Sequence, residues 1–551
     1  MVLRAYLTEL SLESLQAIAE KIGIAPEKKL SGKLVNEIDL KLFDRAYLKR
    51  LVKRLKGPEQ RAVFRLILTG PSGLDKGEVA REAMRGLVLR GLTYATEWRG
   101  KPARYVMPED IRESLSDYAE KLLRSALEFF PKGPEVRESG LAFVRDLFVF
   151  LSYVDHYGIA LTGQSKLYRR TMRKVLERFE VREKLPAAEG KEYPPRFGII
   201  AGYSFGRKLV TYDNARLRST KRFEQWLTLS DRDKVTDLLA YSLSPLRSHH
   251  FLVSFMIKMM RTWPPNQAVS LASFSKTMEE YGSGRHGGNE IRLEMERERV
   301  LKIIQNLYWL GVVALDADHV EQATRVALTP MGRDVLRDEA PEAREPAVAE
   351  FFVQPNFEIL VPRSLDLKLR HQLERFAELV SVDQMLTYRI ERDSVYRAVQ
   401  RGLEAEEMLH FLKTYSKVPL PQNLRYSISD WAGRYGEIQF RSAFLLCTQT
   451  PELAYEIKAS KKLAHFIKGE LSPSALIVPR ENYPTLVKQL QEAGYFPKTD
   501  ILGEEEKPEE LNRWWIETPT DEPFVVQRLK DVLDQTDKRV PREPFLEPAE
   551  F

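Results

Sequence analysis

The 551-residue chain carries 85 Lys and Arg against 79 Asp and Glu, a formal net charge of +6, with 43% hydrophobic and 30% charged residues. Such a length outgrows one hydrophobic core and predicts three or four domains of about 100–200 residues each. No apolar run approaches the ~18 residues of a spanning helix, the opening MVLRAYLTEL is no export signal, and the single cysteine, Cys447, excludes an internal disulfide and a Cys-based zinc site. The expectation is a cytoplasmic protein with no membrane partner.

Charge is distributed unevenly. Residues 1–100 hold 19 Lys and Arg against 12 Asp and Glu, residues 161–225 hold 16 against 7, and residues 504–551 reverse the balance with 7 against 14. A basic amino-terminal half can neutralise nucleic-acid phosphates, although an ordinary solvated surface produces the same counts.

Residues 1–56 read as a helical hairpin and further helices. Leu12, Leu15, Ile18, Ala19 and Ile22 recur at helical spacing, Gly23 turns the chain, and Leu34, Val35 and Ile38 resume the pattern. With Lys28, Lys29 and Lys33 near the turn, the hairpin is similar to the small DNA-binding SAP motif; a plain two-helix packing unit fits the same residues.

Residues 57–110 read as winged-helix-like. A helix with Val63, Phe64, Ile67 and Leu68 inward leads into LTGPSGLDKGE, Leu68–Glu78. This loop has the look of a phosphate-binding loop and fails its spacing, because Lys76 is followed by Gly77 and no hydroxyl stands where magnesium would need one. It is better read as a turn, with Pro71 and Gly73 shaping the bend and Asp75 opening a helix that runs from Leu74 to Leu92. Strands Thr93–Trp98 and Ala103–Met107 follow around a turn at residues 99–102. Arg99, Lys101 and Arg104 on this wing suit a backbone phosphate, and suit a merely soluble hairpin equally.

Residues 111–245 read as a helical domain with a basic stripe. After Gly163 and Ser165, a helix carries Lys166, Arg169, Arg170, Arg173 and Lys174 with no intervening acid, while Leu167, Met172 and Val175 can face inward. Such cations repel one another, so the stripe points to nucleic acid or an acidic partner. Residues 246–340 read as a second winged helix, whose wing bears Asp316, Asp318 and Glu321 and suits protein contacts better than DNA. The Gly-rich SGRHGGNE within it reads as a linker. Residues 341–350 are a Pro/Ala/Glu linker, and residues 506–551 form an acidic tail with Trp514 and Trp515.

The texture changes at residue 351. FFVQPNFEILVP reads as a strand, SLDLKLRHQLERFAELVSV as a helix and MLTYRI as a strand; three helical stretches, the strand SAFLLCT, the helix PELAYEIKAS, the strand SALIVP and a last helix complete an α+β domain at 351–505. The pieces Phe352–Asn356, Thr387–Arg389 with Ser394, Lys417–Gln422, Asp430 with Tyr435 and Gly436, Ser460–Lys462 and Gly494–Pro497 stand in an order that resembles the domain ahead of the motor in XPB-type DNA repair helicases. The resemblance implies a role beside such a helicase in DNA repair or transcription. It also fits stand-alone bacterial proteins carrying this domain without a motor, since no Walker A or Asp-Glu-x-His box is present. Lys461 and Lys462 are this domain's candidates for a phosphate, against a solvated face; Gln354, Asn356, Tyr388, Arg389 and Asp430 are equally suited to fixing turns and caps.

No catalytic constellation emerges. The eight histidines are scattered without metal-ligand spacing, and Glu456-Ile-Lys458 matches half of a magnesium nuclease motif on a helix where a strand is required. The expected fold is multidomain and mainly α, with winged helices in the amino-terminal two thirds and the α+β domain after them. The expected function is non-catalytic and DNA-binding, with no cofactor and no metal; the expected partner is DNA, through its phosphate backbone, and the resemblance adds an XPB-type helicase. The alternatives are a protein–protein scaffold using winged helices as docking units and, remotely, a magnesium-dependent nuclease.

Overall fold

The computed structural model describes residues 2–26, 29–69, 73–75, 81–98, 101–162, 166–185, 193–213, 216–244, 250–282, 290–337, 348–437, 443–499 and 524–527. Among them are 22 α-helices and five antiparallel sheets, a mixed α/β protein that is mostly helical. Three large apolar clusters hold these elements, beside a small one of Val136, Ala268, Ala314 and Ala327 at the five-stranded sheet. The first runs through residues 3–336 and takes in Leu367; the second covers residues 351–428 and the third residues 454–490. The α+β stretch after residue 351 is therefore built on two cores.

Local chemistry sets the helices. Ser11 caps the Leu12–Lys21 helix by accepting from the Ser14 N–H, and its Leu15, Ile18 and Ala19 are buried at helical spacing. The hairpin partner, Ser31–Phe43, buries Leu34, Val35, Ile38 and Leu42. Lys28 lies outside the described residues, while Lys29 pairs with Glu37 at 2.6 Å. At the centre of the first cluster the Ala142–Tyr157 helix is buried almost all round, which is the pattern expected where a helix is enclosed on every side. Its fully buried Asp146 pairs with Arg196 and accepts from the Glu180 and Val181 N–H groups. The Pro195–Gly206 helix begins with proline, and the Glu183 carboxylate accepts from the N–H groups of Arg196 and Phe197 at 3.0 and 2.8 Å, as the positive end of a helix favours.

Several elements differ from the sequence reading. Leu74 does not open a helix: Leu74–Asp75 is a short strand paired with Lys101–Val106, and the helix spans Arg81–Val88. The reason is a close backbone approach. Gly73 sits at φ +66°, and a Cβ there would stand 2.4 Å from the Tyr105 carbonyl oxygen, so only glycine lets the chain lie against the Tyr94–Trp98/Lys101–Val106 hairpin.

Residues 111–245, read as helical, also contribute strands. Phe129–Pro131 and Arg137–Glu138 join Gln267–Ser270, Val313–Leu315 and Arg325–Leu328 in one five-stranded sheet, and a small second sheet pairs Arg216–Ser219 with Ile159–Ala160 and Val210–Asp213. FFVQPNFEILVP is two strands, Phe352–Val353 and Glu358–Pro362, folded around a turn. The Leu367–Glu374 helix is shorter than its pattern, since ELVSV, Glu378–Val382, forms the edge strand of the four-stranded sheet beside Met385–Arg389. Gly469–Ser472 adds a strand to Ala475–Val478, which pairs on its other side with Phe444–Cys447.

Of the acidic tail, residues 524–527 are described. Phe524 packs against the first cluster and its N–H donates to Gln225, while Gln527 accepts from Arg207 at 2.7 Å.

Candidate nucleic-acid interface

The basic stripe folds as the Arg169–Leu176 helix, with Met172, Val175 and Leu176 buried. Those three anchors turn Arg170, Arg173 and Lys174 outward, where all three are exposed. Residues 170, 173 and 174 share one helical face, and none of the three has a carboxylate partner among the described residues. Arg169 is half-buried, and Lys166 is half-buried with its backbone bonded in both directions to Thr162.

The cationic surface extends beyond the stripe. Lys174, Arg178 and Arg182, with Glu177 among them, form one wall of a groove whose other wall is the sheet edge at residues 379–383 and ends in Asp383. Arg178 is steadied on two aromatic faces, 5.2 Å from the Tyr153 ring centre and 5.6 Å from that of Tyr157. Through this groove the stripe adjoins the unit that begins at residue 351.

A buried polar seam joins that unit to the first cluster. Glu374 accepts from Arg370 Nε at 3.1 Å, from the Tyr388 hydroxyl at 2.5 Å and from the Ser152 hydroxyl of the central helix. Asp155 accepts from the Ser219 hydroxyl and stands 3.2 Å from His371 Nε2. Glu180 bridges Arg145 and Arg363 at 2.6 and 3.2 Å. Burial would raise the Asp155 carboxyl, but the hydrogen bonds of His371 and Ser219 and the charges of His156 and His371 bring it down to about 2. Burial would likewise raise Glu374, and Arg370 with His156 outweighs it. For His156 burial wins over the pull of Asp155 and Glu374, and its basicity is lowered.

The remaining predicted positions are dispersed. Arg99 lies outside the described residues, Lys101 is placed by its backbone alone, and Arg104 sits half-buried on its strand, where its carbonyl accepts from Thr96. Lys461 and Lys462 are exposed on the unit around the third cluster. Asn356 fixes the turn after Val353 through bonds to Glu358, and Asn423 braces the same turn by donating to the Pro355 carbonyl at 2.8 Å. Arg389 pairs with Glu358 at 2.6 Å and Asp430 with Arg434 at 3.0 Å; both readings as structural supports fit these contacts. Lys458 of the half nuclease motif is paired with Glu470 at 2.8 Å, and the described residues bring together no three His, Cys, Asp or Glu side chains able to hold a metal ion. No described helix is long and apolar enough to cross a membrane.

The sequence profile of the helicase conserved C-terminal domain matches residues 351–471. It spans the second core and reaches the strand Gly469–Ser472 of the third. Two curated proteins named DNA 3'-5' helicase XPB are similar to part of the chain: that of Kineococcus radiotolerans is 25% identical over 139 residues and that of Mycobacterium tuberculosis 29% over 140, each match covering 24% of this chain and 25% of the relative. The chain thus matches about a quarter of the length of these relatives, and its helicase-related part is the domain that begins at Phe351.

Proposed function

We propose that this protein binds DNA through its phosphate backbone and works beside an XPB-type helicase, without a chemical step of its own. The observation that carries the reading is the exposed face of Arg170, Arg173 and Lys174, without carboxylate partners among the described residues, running through Arg178 and Arg182 to the edge of the helicase-type domain. Like charges held on one rigid helix repel one another, and a polyanion relieves that repulsion by releasing its own counterions. The helicase-type domain supports a repair or transcription setting, and the Tyr94–Trp98/Lys101–Val106 hairpin is the wing of a winged-helix module that adds phosphate contacts.

The acidic second module has a different part. Val313–Leu315 and most of Arg325–Leu328 are buried within the five-stranded sheet, which favours holding the amino-terminal body together over contacting a ligand. A pure scaffold would bind no DNA. Fluorescence anisotropy with duplex, forked and single-stranded DNA tests the difference: a phosphate binder loses duplex affinity with a log–log salt slope of about −0.9 per contacted phosphate. Failure to bind all three at low salt overturns the proposal.

A further inference from the structure

Where the central helix meets the helicase-type domain, the seam forms a partly open pocket of about 40 Å³. One water needs roughly 10–15 Å³ of such space, so the pocket holds a few waters or one tetrahedral oxyanion. Its walls are unusually cationic: Arg178, Arg370, Arg375, Arg397 and Arg401 line it against Glu374 and Glu378. The two carboxylates are already engaged, Glu374 by Arg370 and Glu378 by Arg397. Arg178 rests on its two tyrosine rings, and neither it nor the exposed Arg375 has a carboxylate partner among the described residues.

His156 completes the lining. Its Nδ1–H donates to the Ser152 carbonyl at 2.7 Å, whereas its Nε2 is buried with no hydrogen-bond partner among the described residues. With the proton on Nδ1, Nε2 is an acceptor; a buried acceptor left unsatisfied costs free energy, and a bound group with a donor, such as the P–OH of a singly protonated phosphate, supplies what it lacks. Arg401 donates to the His156 carbonyl oxygen at 2.5 Å. Burial, then the charges of Arg397 and Arg375, push its guanidinium below its ordinary value against the pull of Asp155, so these cations are crowded enough to feel one another.

From this geometry we infer that the seam is a binding site for one terminal phosphate group in its singly protonated form, held by the guanidinium groups of Arg178, Arg375 and Arg401, with its P–OH donating to His156 Nε2. Guanidinium forks match phosphate oxygens. The small volume favours a monoester, which enters by one end, over a chain-internal diester, which needs two exits. Arg178 and His156 belong to the amino-terminal body while Arg375 and Arg401 belong to the helicase-type domain, so an occupant clamps one on the other. The shared chemistry is a phosphate monoester, at a nucleic-acid end or on a small phosphorylated molecule. The inference stands on the seam's own geometry and does not require the helix 169–176 to touch DNA.

The test uses the full chain. Inorganic phosphate is titrated against chloride at matched ionic strength, with heat of binding and unfolding midpoint as readouts; a saturable rise specific to phosphate is expected. Arg375→Ala and Arg178→Gln, both changes at the mouth, should each weaken phosphate at least tenfold, while Arg170→Glu/Arg173→Glu should leave it unchanged. Duplexes with 5′-phosphate and 5′-hydroxyl ends then identify the source. Tighter binding of the phosphorylated end, lost in Arg375→Ala, assigns the site to nucleic-acid ends; equal binding of both duplexes with phosphate still bound assigns it to a small molecule. No saturable phosphate effect, or one that Arg375→Ala and Arg178→Gln leave intact, overturns the inference.

Discussion

Replacing Glu374 by alanine should loosen the seam more than any surface change. Glu374 is the common acceptor of Arg370, Tyr388 and Ser152, and the Arg370 side chain is 4% exposed against 13% for Glu374. Three charge-assisted bonds at about 1.5–3 kcal/mol each would sum to more than the site can lose, because removing the carboxylate also relieves its own desolvation and the three bonds are coupled. The applicable figure is the cost of leaving a buried charge without its partner, roughly 3–5 kcal/mol. Among the described residues Arg370 then keeps the Tyr388 hydroxyl and ring and the face of Phe148, 4.9 Å from its guanidinium carbon. Urea unfolding followed by circular dichroism, with limited proteolysis to detect release of the carboxy-terminal domain, measures the effect. The double variant Arg370→Met/Glu374→Leu removes both charges and should recover much of the loss. A cost below about 1 kcal/mol for Glu374→Ala, or a double variant as unstable as the sum of its singles, would refute the account of the seam.

Two further outcomes follow from the same physics. Asp155 is held at about 2 where an ordinary aspartate lies at 3.8, so it contributes roughly 2 kcal/mol above the ordinary value and loses it as pH falls from about 4 towards 2; Asp155→Asn should therefore be the less stable protein at pH 7 and lose its deficit in that acid window, and identical acid limbs for the two proteins in urea titrations would contradict this. Gly311 lies at φ +72°, and a Cβ there would stand 2.2 Å from the Gly140 carbonyl oxygen; Gly311→Ala should cost at least about 1–3 kcal/mol, and an unchanged midpoint in a thermal melt would show that this contact is not as close as described.

Legibility in the sequence follows the range of the interaction. Helices with a buried face, such as Leu12–Lys21 and Arg169–Leu176, announce themselves by spacing, and the acid-free run of cations on the latter could be read before its exposure was known. Leu74–Asp75 could not, because its strand character comes from a partner about thirty residues on and its own residues favour helix equally. ELVSV failed for a related reason: it follows a helix without a breaker, and only pairing with Met385–Arg389 makes it an edge strand. The sheet that unites Phe129–Pro131 with Gln267–Ser270 is likewise a long-range product. The seam was the least legible. Ser152 and Glu374 are 222 residues apart, and nothing in either segment marks the other. Its nearest sequence signal is the arginine content of residues 363–401, which alone reads as a solvated surface.

The central claim, that the 169–176 helix holds DNA phosphates, is tested most directly by charge reversal. Arg170→Glu/Arg173→Glu/Lys174→Glu changes three exposed side chains and no buried one, so the fold should survive, as circular dichroism can verify. Duplex affinity measured by anisotropy across a salt series should fall, and the log–log slope should shrink by about 2.7 if all three contacts are lost, at roughly 0.9 per phosphate. A folded triple variant that binds duplex with the affinity and salt slope of the parent protein would contradict the claim.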